Sequence, residues 1–320
     1  MNLRSLKRNI PFAATAAVCV TLYLFAGFKF PGFFSARVFI NFFSDNSFLG
    51  IAAIGMTFVI LSGGIDLSVG GVIGLVSVVL AVLIEKNHLH AMVAIFIVLI
   101  IGGGLGAIMG CLIHFFSLPP FLVTLAGMFL ARGLALVLQI ESIPIAHYLN
   151  ELTAHLRLPI NSKLEIPTTA LIYFAAFIAA MFVAHFTRFG RNVYALGGSE
   201  SSAALMGLPM ARTKTFVYAL SGFCSALAGV VYSLYTFSGN PNAGTGLELD
   251  AIAAVVVGGT LLSGGIGYLA GTFVGILIFG IIQTAIIFQG TLSSWWTKMV
   301  IGGLLLIFIL LQKIIQAKKI

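Results

Sequence analysis

The chain has 320 residues, of which 60% are hydrophobic and 8% charged. A soluble domain carries about 25% charged residues, so this chain cannot cover a water-facing surface and reads as an integral membrane protein with several helical spans. The formal net charge of +8 does not mark a nucleic-acid face, because Lys and Arg sit mainly in loops and at both ends, and the long continuous apolar runs exclude a transmembrane barrel.

Ten hydrophobic segments follow in chain order: roughly 10–28, 41–62, 66–85, 91–115, 119–140, 167–186, 214–237, 248–262, 266–288 and 294–315. The first resembles a signal peptide, but its apolar run is too long and more spans follow, so it is expected to stay as a first helix. A span needs about 20 residues; segment 248–262 is too short and is expected to be a half-helix or a buried one. The fold class predicted is all-α, one transmembrane domain over 1–320. With the N-terminus in the cytoplasm, Arg4, Lys7, Arg8, Arg188, Arg191, Arg212, Lys214, Lys313, Lys318 and Lys319 fall inside. Lys29, Arg37, Lys86, Arg157, Lys163 and Lys298 fall outside. The bias places both termini in the cytoplasm, with loop 141–166 outside and loop 187–213 inside. Cys19, Cys111 and Cys224 lie in apolar runs without CxxC or His spacing and read as packing residues.

The stretch "LSGGIDLSVGG" at 61–71 interrupts this pattern. Gly63 and Gly64 weaken a helix by about 1 kcal/mol each relative to Ala. Ser62 or Asp66 is placed to cap the helix that restarts, and Asp66 is expected to be an N-cap. The sharper reading makes Gly63, Gly64, Asp66 and Ser68 a hinge or pathway element, since freed backbone groups in a bilayer must face protein or a water-filled cavity. Shifting the chain by 201 positions lays 51–71 over 252–272 without a gap, and "LSGGI" recurs with Gly264 and Gly265 in the second copy. Repeated interrupted segments point to the moving part of a transporter.

Arg132 lies about 13 residues into "PPFLVTLAGMFLARGLALVL". A buried arginine needs an acceptor or water; it either lines or gates a route, or it snorkels outward or pairs with Glu141. Glu248 and Asp250 stand at the outer entry to 248–262, where acids favour a helix N-terminus; a role at the external mouth is the alternative. Pro119 and Pro120 start a span, where proline is tolerated. No P-loop, H-E-x-x-H or GxSxG motif is present, so no ATP hydrolysis, metal, cofactor or enzyme chemistry is expected in this chain.

Within loop 187–213, "SESSAALMGLP" at 199–209 reads as a short helix capped by Ser199 and ended by Gly207 and Pro209, with Ala203, Ala204 and Leu205 as a small docking face. "RFGRNVYALGGSESSAALMGLP", "GIDLSVGG", "ELDAIAAVVVGGTLLSGGIG" and the "GTLSSWWTK" end together resemble ABC importer permeases of the ribose/galactose branch, most closely a galactofuranose importer permease. Many relatives have Asn-Glu where this chain has Ser199-Glu200. The resemblance implies a bacterial inner-membrane subunit that pairs with a second permease, a tandem-domain ATPase carrying ATP and Mg, and a periplasmic sugar-binding protein, with lipid around it. It implies that Gly198, Glu200, Ala203, Ala204, Gly207 and Leu208 couple the ATPase to the spans. Relatives carry the same motifs for ribose, other pentoses or autoinducer-2, and a branched-chain amino acid permease is a further alternative. An ion-coupled secondary transporter would keep more carboxylates in its spans; a channel would show a filter or charge ring.

Overall fold

The computed structural model describes residues 3–145, 158–161, 164–293 and 295–317. In chain order these form α1 (Leu3–Lys29), α2 (Ala36–Asp45), α3 (Ser47–Leu61), α4 (Val69–Ala81), α5 (Ala91–Phe115) and α6 (Pro120–Leu138). Three short strands, β1 (Ile143–Pro144), β2 (Leu158–Asn161) and β3 (Leu164–Ile166), precede α7 (Thr168–Phe186). Then come α8 (Arg188–Gly198), α9 (Glu200–Leu205), α10 (Met210–Thr236), β4 (Ser238–Gly239), α11 (Leu247–Val257), α12 (Leu269–Gln289) and α13 (Trp295–Ala317).

Every hydrophobic segment read from the sequence is helical. Among the described residues, seven helices are long and apolar enough to cross a membrane, and α2 with α3, bent by 54°, makes an eighth. Segment 41–62 is thus a bent pair, joined at Asn46, rather than one rod. Segment 66–85 begins as a helix only at Val69 and runs on through a π turn at Val82–Lys86. Segment 248–262 is the 11-residue helix α11, half the length a span needs. Loop 141–166 is not structureless among its described residues: β1 pairs antiparallel with β4, and β2 with β3. Arg157, Lys163, Lys318 and Lys319, four members of the charge bias, lie outside the described residues.

The packing follows from side-chain size. α3 is buried on every side except at Phe48, as a helix without an amphipathic stripe must be. α4 is likewise buried except at Val79. α10 covers both and packs most extensively on α5. That approach needs glycine: a β-carbon on Gly106 would fall on the Tyr218 carbonyl, and one on Gly102 on Ala226. Small residues at helix contacts are the usual device where lipid removes the hydrophobic drive between helices. α1 is tied to the bundle, since buried Thr15 donates its hydroxyl to the Val257 carbonyl at 2.7 Å.

Candidate functional site

The two "LSGGI" copies follow their helices at different distances, the first starting on the last residue of α3 and the second five residues beyond the end of α11, but both turn on a left-handed glycine. α3 stops at Leu61 and Gly63 turns with φ +84; α11 stops at Val257 and Gly264 turns with φ +83. Left-handed backbone at these φ values is glycine's province. The structure then brings the copies face to face. Gly265 N–H donates to the Leu61 carbonyl at 2.9 Å. A β-carbon on Gly264 would lie 2.8 Å from the Gly63 nitrogen. One turn before the first break, Thr57 and Thr272 share a hydroxyl contact of 2.8 Å.

Asp66 is fully buried. Its carboxylate accepts from the Ser68 N–H at 2.9 Å, from the Ser68 hydroxyl at 2.6 Å and from the Ser221 hydroxyl of α10 at 2.6 Å. It is therefore not the N-cap expected from sequence. The N-cap of α4 is Ser68, with no side-chain cap bond. Asp66 accepts the N–H two residues on, in a local turn outside the helix, and uses its second oxygen to bind a distant helix.

Arg132 neither snorkels nor pairs with Glu141. Its guanidinium donates to the carbonyls of Pro241, Ala243 (2.8 Å) and Gly70 (3.1 Å). The planar fork thus clamps α6 to the start of α4 and to the β4–α11 connection. Glu248 and Asp250 occupy the first turn of α11, as read. Glu248 sits against Gly70, and its Oε2 is buried with no hydrogen-bond partner among the described residues. Asp250 is ion-paired with Lys298.

The short helix α9 matches its sequence signals. Ser199 caps it, accepting from Ser202 N–H at 3.3 Å, and Gly207 ends it with φ +74. The docking face differs from expectation. Ala203 is fully buried and points into the protein, whereas Leu205 and Met206 are 90% and 68% exposed. Two residues apart in an α-helix is a rotation of about 200°, so Ala203 and Leu205 lie on opposite faces. Glu200 pairs with Lys214 at 2.5 Å, while Gly198 and Ala204 are exposed and Leu208 is half-buried. The base of this loop reaches the breaks. A β-carbon on Gly197 would strike the Leu61 carbonyl, one on Gly265 would come within 2.8 Å of Gly198, and Tyr194 donates its hydroxyl to the Gly267 carbonyl at 3.1 Å.

So the structure joins Gly63, Gly264, Gly265 and Gly198 at one junction, places Asp66 and Ser68 just beyond it, and sets Arg132 and Glu248 at a second cluster around Gly70. Ser221, Tyr218 and Tyr194 were missed, because nothing local in α10 or α8 marks them. Leu205 and Met206 were legible as apolar residues ending a helix in a polar loop.

Comparison with known proteins fits this arrangement. The family model described as branched-chain amino acid transport system / permease component matches residues 38–310. The chain is 50% identical over 308 residues to the inner membrane ABC transporter permease protein YjfF of Escherichia coli strain K12, covering 96% of this chain and 93% of that one. It is 34% identical over 317 residues to the fructose import permease protein FruG of Bifidobacterium longum, with 97% and 93% covered. It is 37% identical over 282 residues to the ribose import permease protein RbsC of E. coli K12, with 88% and 87% covered. No solved structure matches the chain. A multi-pass helical bundle with paired glycine breaks, matched along most of its length by these permeases, belongs to the branched-chain amino acid transport system / permease component family and is a membrane permease subunit of the ABC transporter class.

Proposed function

We propose that this chain forms the translocation pathway of an ATP-driven monosaccharide importer in the bacterial inner membrane, with both termini cytoplasmic. One observation carries the reading: the base of the α8–α9 loop touches the backbone at both glycine breaks. A push on α9 therefore reaches the interrupted helices without a long relay. A partner ATPase, with its own ATP and Mg, grips the exposed face of α9: Glu200, Ala204, Gly207 and Leu208, together with Leu205 and Met206. Gly198 transmits the movement. Ala203 anchors α9 inward. A second permease completes the pathway and a periplasmic binding protein delivers the cargo.

Monosaccharide cargo is supported by the relatives named for ribose and fructose import. Galactofuranose is the first sugar to try, on the resemblance of the motifs. The matching family's description keeps branched-chain amino acids as the second cargo class.

The test is ATP hydrolysis by the reconstituted chain with its ATPase, sister permease and binding protein, with the binding protein loaded by each sugar in turn. Stimulation by one sugar is expected. Ala204→Glu should abolish stimulation while the chain still inserts. Leu205→Ser with Met206→Ser should reduce it about tenfold, the loss of one apolar contact pair at an interface, with the thermal midpoint unchanged because both side chains are exposed. Stimulation by leucine or valine instead of sugar would move the cargo to the second class. Transport by the chain alone under an ion gradient would sink the reading.

A further inference from the structure

A cleft of about 470 Å³ runs between α5 and α6, and every residue on its walls is apolar. Ile108, Leu122 and Leu130 on those walls are exposed, so the cleft opens on the side of the bundle. Both helices are long and apolar enough to cross a membrane. Along α6 the walls extend from Leu118, just before the helix, to Leu130. At helical rise that stretch is about 18 Å, close to one leaflet of a hydrocarbon core about 30 Å thick. At Leu118 the cleft meets a second cavity, of about 430 Å³, whose lining is polar in large part. Ser62 of the first break, His114 at the end of α5, Ser117 of the α5–α6 connection, Glu200 of α9 and Lys214 of α10 face this chamber.

An apolar slot one leaflet deep that ends in a polar chamber has the form of a phospholipid, and charge selects the head group. Lys214 is paired with Glu200 at 2.5 Å, and these are the one lysine and the one carboxylate of the chamber. A lone anion would have to take Lys214 from Glu200. A zwitterion exchanges one ion pair for two: its phosphate accepts from Lys214 and its ammonium donates to Glu200. Ser62, Ser117 and His114 remain for the phosphate and ester oxygens. A quaternary ammonium has no N–H to donate, so a primary one fits better. We propose that this site holds one zwitterionic phospholipid with a primary ammonium, an acyl chain in the α5–α6 cleft and the head group in the chamber. A helix of a second copy is the rival occupant. About 10 Å across, it would use up 470 Å³ in roughly one turn, whereas an acyl chain follows the slot along its length. A seated head group touches the first glycine break, the α5–α6 connection and the start of α10. The site depends on the chain's place in a membrane and not on its cargo or its ATPase.

The test is native mass spectrometry of the full-length chain, stripped of lipid in detergent and titrated with phosphatidylethanolamine, phosphatidylcholine and phosphatidylglycerol of identical acyl chains. One molecule of phosphatidylethanolamine should be retained saturably. It should bind about tenfold more tightly than phosphatidylcholine, the scale of one charge-assisted hydrogen bond, and more tightly than phosphatidylglycerol. Glu200→Gln should abolish the preference over phosphatidylcholine. Ala126→Phe, at an exposed position on the cleft wall, should fill the slot and weaken retention at least tenfold, with the thermal midpoint unchanged. Should that variant fail to fold, Glu200→Gln at an exposed side chain still decides. Equal retention of the three lipids, an unchanged preference in Glu200→Gln, or unaltered retention by a folded Ala126→Phe would each overturn the proposal. Maleimide labelling of an Ala126→Cys chain should slow on adding phosphatidylethanolamine. Protection that follows dimer formation and ignores lipid would give the cleft to a second copy and overturn the proposal as well. Because neither ATP nor cargo is present, failure of the transport reading would show separately, in the hydrolysis assay.

Discussion

The two glycine breaks share the five residues "LSGGI" and are held by different means. The first, at 62–68, is fixed by a side chain: Asp66 gathers Ser68 and reaches 155 residues along the chain to Ser221 on α10. The second, at 258–268, has Gly267 where the repeat would place Asp66. Its backbone closes on itself, with Leu261 N–H donating to the Ile266 carbonyl at 2.9 Å, and Gly259, Gly264 and Gly265 all left-handed. Its outside tether is Tyr194, at the base of the α8–α9 loop. The loop base touches both breaks, but only the first has a side chain pinning it to the core of the bundle, while a side chain of the loop base, Tyr194, holds the second. A duplicated element can serve as fixed point and lever once a single carboxylate distinguishes its copies.

Removing that carboxylate should have the largest effect. Asp66→Ala leaves the Ser68 N–H and two buried hydroxyls without an acceptor, which costs about 3 kcal/mol. Asp66→Asn keeps one acceptor oxygen and should cost about 1 kcal/mol. Thermal unfolding followed by tryptophan fluorescence in detergent would read both. An Asp66→Ala chain as stable as wild type would erase the distinction between the breaks.

The glycines sharpen it next. Gly63 and Gly264 share nearly the same φ, but the space around them differs. A β-carbon at Gly63 meets nothing nearer than 3.9 Å, whereas one at Gly264 meets the Gly63 backbone at 2.8 Å. Gly63→Ala should therefore cost about 1 kcal/mol, the left-handed penalty alone. Gly264→Ala should cost about 2–3 kcal/mol, with overpacking added. Equal losses in the same unfolding assay would mean that the two copies do not press on each other.

The smallest effect is expected at the tether. Tyr194→Phe removes one half-buried hydrogen bond to Gly267 and should cost about 1 kcal/mol or less. If the second break is the lever, stimulated ATP hydrolysis in the reconstituted complex should fall by more than unfolding does. A variant with unaltered stimulation would return the lever to the first break.

Length, apolar runs and glycine pairs were enough to place the apolar helices along the chain, the shortness of α11, both interruptions and the capped helix α9, but not the bend that splits 41–62 into α2 and α3. These are local properties: a span needs about 20 apolar residues, a left-handed turn needs glycine, and a cap needs an oxygen next to the first free N–H groups. The same local logic misassigned Asp66 as a cap, because capping is the task a carboxylate performs with neighbours alone. It left Arg132 between two exits, because its three carbonyl partners come from Gly70, Pro241 and Ala243. It set Ala203 beside Leu205, although packing buries one and bares the other. Only the tertiary structure brought Gly63 against Gly264, Asp66 to Ser221 and the loop base to both breaks. Those contacts join residues that are far apart in the chain, and which of them meet is decided by how closely small side chains allow the helices to approach.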